Sequence, residues 1–285
     1  MLRIPSEIQA HQFESLKIQD TTFVAYRSDV YPSKNDVFFE ENAVIYVLEG
    51  DKIFSSSNAE VRVQKGDVLF IKRGYYLMSE SINEAYKSLV FFFDDKLLKE
   101  FVGQNLSLFE NRTSSLENKT LLLILKSNEA FGKYVESILP YFKTKTKYLN
   151  QFLKLKVQEL LLHLLEFDKD AQLNDLLFSI YIGQKTDIGD VLNTFYLKPL
   201  NLNELARLSG RSLSAFKREF SIRFGVSPGL WIKDKKLEHA AFLLKNKMGN
   251  VEQVSESIGY ESVSHFIKSF KTKFGHTPHQ VGKLA

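Results

Sequence analysis

Ser212-Leu-Ser-Ala-Phe216-Lys-Arg-Glu-Phe220 recurs fifty residues later as Ser262-Val-Ser-His-Phe266-Ile-Lys-Ser-Phe270, and the same offset carries Phe224-Gly225 onto Phe274-Gly275 and Pro228 onto Pro278. A period of this length is the size of one supersecondary motif with its connector, so a structural unit is duplicated here. In the first copy Asn201 is placed to cap a helix opening at Leu202, Glu204 completes a capping box, and Leu202, Leu205 and Leu208 form the apolar face. Ser209-Gly210-Arg211 supplies a tight turn, and Ser212 caps a second helix whose Leu213, Phe216 and Phe220 point inward. Ala206 is small where the two helices cross. The second copy runs through Val251, Val254 and Ile258, turns at Gly259-Tyr260-Glu261 with one residue more than the first, and restarts at Ser262 with Val263, Phe266 and Phe270. Between the copies, residues 230–247 read as a connecting helix, apolar at Trp231, Leu237, Ala240, Ala241, Leu243 and Leu244 and basic elsewhere. About 13 to 15 helical residues there would span roughly 20 Å, enough to hold two reading heads on one side of a duplex about one turn apart. Trp231 is expected as a core anchor.

Two short helices joined by a tight turn match the major groove of B-DNA, which admits one helix and lets its first residues reach base edges. On the helix opened by Ser212, the side chains of Ser214, Lys217 and Arg218 lie away from Phe216 and Phe220; on its counterpart, opened by Ser262, Ser264 and Lys268 do, with Val263 at the leading edge. Lys217 or Arg218 can donate to guanine, Lys268 can do so or clasp a phosphate, and Val263 can touch a thymine methyl. The competing reading is a solvated helix face.

Upstream, residues 21–27, 43–48, 60–63, 67–72 and 88–93 read as short strands. Turn residues at 49–51, 55–58, 65–67 and 73–74 space them as in an antiparallel barrel or jelly roll. After Asp94-Asp95 the pattern becomes helical. Residues 149–167 place Leu153, Val157, Leu160, Leu161, Leu164 and Leu165 on one stripe, which packs on its own barrel or pairs with a second subunit. The expected fold is α+β: a cupin-like sensory and dimerisation domain over residues 1–184, and an all-α domain of two helix-turn-helix units over residues 185–285. The aromatic run Ser88-Leu-Val-Phe-Phe-Phe93 either encloses a cavity for a small effector or contributes to a filled core.

Charge agrees with this division. From Pro199 onward there are 14 Lys and Arg against 7 Asp and Glu, leaving 24 against 27 before it. A basic segment beside a mildly acidic one suits a nucleic-acid-binding domain fused to something else, and equally a basic solvated surface. No run is apolar enough to cross a bilayer, the N-terminus lacks a secretory apolar core, and there is no cysteine, so a cytoplasmic chain without disulfides or thiolate metal sites is expected. An enzymatic cupin needs a His-x-His…Glu…His ligand set, whereas His11 is the single histidine in the first 160 residues. His163, His239, His265, His276 and His279 are too dispersed to complete one, and His276 and His279 are expected to face solvent. No catalytic residue, metal or cofactor is expected. An architectural binder acting through the minor groove is a third class, and the doubled helix-turn-helix argues against it.

The segment from about Asp187 to His279 resembles the AraC/XylS transcriptional regulators. It is similar to that family's L-x-x-L-A pattern at Leu202, Leu205 and Ala206, and to its second-unit pattern at Gly259, Tyr260, Ser264, Phe266, Phe270, Lys271, Phe274, Gly275, Thr277 and Pro278. Three positions depart from the pattern: Tyr260 for the usual Phe, Ser255 for Ala and Lys236 for Arg. The resemblance implies DNA contacts at Ser214, Lys217, Arg218, Val263, Ser264 and Lys268, a regulator that is commonly an activator, an encounter with RNA polymerase, and a homodimer. Gly66-Asp67-Val68-Leu69-Phe70 with Arg73-Gly74 resembles the turn-strand element of the family's cupin-type sensory domain. Together with Gly225-Val226-Ser227-Pro228 and Trp231-Ile232 it leans towards the branch with type III secretion activators, in which a protein partner can replace a small-molecule effector.

Overall fold

A computed structural model describes residues 1–7, 14–18, 21–28, 35–57, 59–80, 86–109, 122–143 and 146–283. His11 and Asn58 lie outside them. The chain divides into two compact units, Met1–Gln184 and Lys185–Ala285.

Among its described residues the first unit opens with ten strands: β1 (Leu2–Ile4), β2 (Glu14–Ile18), β3 (Thr21–Ser28), β4 (Asn35–Phe39), β5 (Asn42–Glu49), β6 (Asp51–Ser55), β7 (Glu60–Gln64), β8 (Asp67–Ile71), β9 (Gly74–Glu80) and β10 (Tyr86–Phe93). Helix α1 (Asp95–Gln104), strand β11 (Leu122–Lys126) and helices α2 (Glu129–Ile138), α3 (Pro140–Lys143), α4 (Leu149–Phe167) and α5 (Gln172–Tyr181) follow. One sheet has the order β1-β4-β9-β6-β7 and the other β11-β8-β5-β10-β3-β2, antiparallel except for the β1–β4 pair. The sequence reading had only helices after residue 95. Strand β11 corrects it, because residues 122–126 pair with β8 from Leu122 opposite Ile71 to Lys126 opposite Asp67.

Two apolar layers explain why β8 and β10 are almost wholly apolar. Ile45, Leu69, Ile71, Val90 and Phe92 of one sheet meet Val37, Phe39, Phe54 and Tyr76 of the other. Alternate residues Val44, Val68, Phe70, Leu89, Phe91 and Phe93 face away and pack on α1, α2, α4 and α5. A strand covered on both sides loses the alternation that marks a half-exposed one. The aromatic run of β10 is thus shared between the two layers. The stripe Leu153, Val157, Leu160, Leu161 and Leu164 of α4 is buried in the second layer, so its partner is the chain's own sheet.

The second unit is all helical: α6 (Ile188–Phe195), α7 (Leu202–Leu208), α8 (Leu213–Phe224), α9 (Pro228–Lys245), α10 (Val251–Ser257) and α11 (Val263–Phe274). Helices α6, α7 and α8 enclose Leu192, Leu205, Ala206, Phe216 and Phe220, and α9, α10 and α11 enclose Leu237, Ala240, Val254, Phe266 and Phe270. The connecting helix α9 begins at Pro228, where Pro at the first turn costs no hydrogen bond, with Ser227 as its cap. Its 18 residues make it about 27 Å long, more than the sequence reading allowed.

Candidate nucleic-acid interface

Each copy builds its helix pair from local chemistry. Asn201 and Glu204 form a reciprocal capping box on α7, and Asn250 with Gln253 forms the same box on α10, a signal present in the sequence that the reading above passed over. The Oγ of Ser212 accepts from the Ala215 N–H at 3.3 Å, and that of Ser262 from the His265 N–H at 3.4 Å. These two serines therefore hold the helix starts, and each still has a hydroxyl hydrogen to donate. Both helices end on a glycine in left-handed conformation, Gly225 and Gly275.

Phe216 and Phe220, like Phe266 and Phe270, have no exposed surface and turn the opposite face of each helix outward. That face carries Ser214 and Arg218, and in the second copy Ser264 and Lys268, all exposed. Lys217 is exposed on the flank beside Phe216, and Val263 is half-buried at the start of its helix. Continuing each row by one turn adds Ile222, 78% exposed, and Thr272, whose hydroxyl donates to the Lys268 carbonyl at 2.9 Å. Neither was singled out from sequence; a spacing of four beyond Arg218 and Lys268 would have found both.

Electrostatics separates two classes of cation. Arg211 Nε donates to Glu219 at 2.8 Å and its guanidinium also bonds the Thr186 and Ser209 carbonyls. Arg223 is bonded to Asp187, which caps α6 by accepting from Gly189 and Asp190. The Arg223 guanidinium holds the Asp187 carboxyl below the usual carboxylate range, and Arg211 does the same to Glu219. In the second copy Lys273 lies 3.4 Å from Asp234 and 3.2 Å from Glu238. Lys217, Arg218 and Lys268 have no ion pair among the described residues, so their charge is available to a ligand.

Trp231 packs against Phe220 and Phe224, as expected of a core anchor. His276 departs from expectation: it lies against Phe270 and Phe274, and its Nδ1 is 3.2 Å from the Thr277 carbonyl. His265 is exposed beside Tyr260, and His163 packs among Phe131, Tyr134 and Phe167. Among the described residues no three His, Asp or Glu side chains are grouped to hold a metal, and no helix is long and apolar enough to cross a membrane.

Capped helix pairs with unpaired cations on the outward face of each second helix define a double helix-turn-helix domain. Residues 205–283 match the helix-turn-helix domain family HTH_18, and residues 42–176 match the ExsA N-terminal regulatory domain. The thermoregulatory protein LcrF of Yersinia pestis is 24% identical over 254 residues, 88% of this chain and 92% of its own. The HTH-type transcriptional regulator ExsA of Pseudomonas aeruginosa is 23% identical over 239 residues, 84% of this chain and 85% of its own. Among solved structures, ToxT from Vibrio cholerae aligns over 93% of this chain and 99% of its own at 14% identity with a TM-score of 0.43. The chain belongs to the AraC/XylS family of DNA-binding transcriptional regulators, and its N-terminal half is of the ExsA type.

Proposed function

We propose that the chain is an activator that reads two adjacent major grooves through α8 and α11. Ser214, Lys217 and Arg218 contact one groove, and Val263, Ser264 and Lys268 the next, while the capping serines Ser212 and Ser262 donate to phosphates at the helix starts. Residues 185–285 are the DNA-binding domain, and residues 1–184 are the sensory and dimerisation domain. A small effector or a protein partner acts on the latter, and the bound homodimer engages RNA polymerase in the cytoplasm. The observation that carries this reading is the sorting of cations: those at the edges of α8 and α11 are tied in ion pairs, whereas those on the outward faces are not. Binding-site selection on random duplex DNA supplies the site; Arg218→Ala and Lys268→Ala are then measured on it and on single-base variants. Each should lose about 1–3 kcal/mol of binding and relax the preference at one base pair. Footprints that protect any duplex uniformly would refute sequence reading. An equal loss on all sequences would reassign the altered residue to a phosphate.

A further inference from the structure

The repeat that duplicates the helix pair also duplicates an order of chemistry along each outward face. On α8 a hydroxyl, a cation and a branched aliphatic group follow one another at steps of four, as Ser214, Arg218 and Ile222. The same order stands fifty residues on, as Ser264, Lys268 and Thr272 on α11. Thr272 belongs to the aliphatic class because its hydroxyl is bonded to the Lys268 carbonyl at 2.9 Å, which leaves its methyl as the group it can offer. At about 100° per residue, each cation lies opposite the midline of the two buried phenylalanines of its helix, and each third residue about 40° from that line. All six side chains are exposed.

Neither burial nor helix propensity accounts for the third position. Ile222 is 78% exposed, more than any other large apolar side chain among the described residues, so it adds almost nothing to the core. A β-branched residue is also a poorer helix former than the straight-chain residues that suit an exposed site. Single exposed apolar residues are common on protein surfaces. This one recurs in kind at the matching position of the second unit, each time one turn beyond a cation that has no ion pair among the described residues.

We infer that Ile222 and the Thr272 methyl each rest against the 5-methyl group of a thymine in the major groove, about two base pairs from the base that Arg218 or Lys268 reads. Four helical residues rise about 6 Å, close to two base-pair steps of about 3.4 Å. Thymine presents the one methyl group in that groove of B-DNA, so it is the feature that an uncharged branched side chain can distinguish. Each face then reads a polar base edge with its cation and a methyl beyond it. This inference rests on the proposed reading of two grooves and adds to it the residues that select thymine.

The test uses the intact chain and duplexes carrying the site obtained by selection on random DNA. Replacing a thymine by deoxyuridine removes only its methyl, and at either position this should raise the parent's dissociation constant about fourfold, the worth of one buried methyl-sized group. Ile222→Ala should lose at least as much on the thymine duplex and be indifferent to deoxyuridine at the first position, with the thermal midpoint of the parent. Thr272→Ser keeps the hydroxyl and should show the same indifference at the second position, whereas Thr272→Val keeps the methyl and should discriminate as the parent does. A selected site without thymine at these offsets, a parent insensitive to deoxyuridine there, or an Ile222→Ala variant that still discriminates would overturn the inference. Unchanged DNA binding by Ile222→Ala with a loss of transcription in a reaction containing RNA polymerase would assign the residue to a protein contact and overturn it equally. If Arg218→Ala and Lys268→Ala leave binding unaltered on every duplex, the two-groove reading itself falls, and this inference with it.

Discussion

Ser255 is 1% exposed on α10, and its Oγ has no hydrogen-bond partner among the described residues. The matching position of the first copy, at the same distance beyond the capping asparagine, is Ala206, with no exposed surface. A hydroxyl buried without a partner costs about 1–3 kcal/mol of desolvation, and Ala is favoured over Ser in a helix by about 0.5 kcal/mol. Against this, Ser255→Ala loses the dispersion contacts of one oxygen atom, each worth about 0.1–0.2 kcal/mol. The substitution should therefore stabilise the second unit by about 1–2 kcal/mol. For a domain of roughly 100 residues each kcal/mol moves the midpoint by about 4–8 °C. Trp231 is the chain's single tryptophan and packs inside this unit, so its fluorescence follows the unfolding of the unit within the intact protein. Ser209→Ala is the control: Ser209 is equally buried, but its Oγ donates to the Ala206 carbonyl at 2.7 Å, so its loss should lower the midpoint. If Ser255→Ala leaves the midpoint unchanged or lowers it, the hydroxyl is not an unpaired burden and the reasoning is refuted.

Asn201→Ala and Asn250→Ala each break a capping box and should cost about 1 kcal/mol, read from the same Trp231 transition; no loss in either would mean the box contributes nothing. Gly259 has φ +77°, so Gly259→Ala should cost about 1–2 kcal/mol through backbone strain. The new Cβ would meet Lys236 Nζ at 3.3 Å, and full recovery on adding Lys236→Ala would show that this contact, and not φ, is the cause. The Asp187 carboxyl is held low by Arg223, so its contribution to stability is present above the unfolded value of about 4 and is lost as pH falls through the lower folded value. Asp187→Asn should flatten the acid limb of the unfolding midpoint below about pH 4; an unchanged limb would place the acid sensitivity elsewhere.

Local chemistry was readable directly from the residues, because capping, turn and helix-face rules involve neighbours within four positions in the chain. Asn201 with Glu204, Ser212, Ser262 and the outward placement of Ser214, Arg218, Ser264 and Lys268 are all of this kind. Helix α4 was also found with its limits, since its apolar period is long and regular. Strands β1, β2, β4, β6, β9 and β11 were not. Residues 122–126, for one, become a strand only because β8 offers an unpaired edge more than fifty positions earlier.

The sequence by itself determined that a helix pair occurs twice, where each pair starts and stops, and which side of each second helix is apolar. Only the tertiary structure decided which cations remain available, because Arg211 and Arg223 meet Glu219 and Asp187 through folding while Lys217 and Arg218 do not. It also decided that the apolar stripe of α4 is consumed by the chain's own core. Local rules act through a few bonds of chain, whereas ion pairing and burial depend on segments that come together only when the whole unit excludes water.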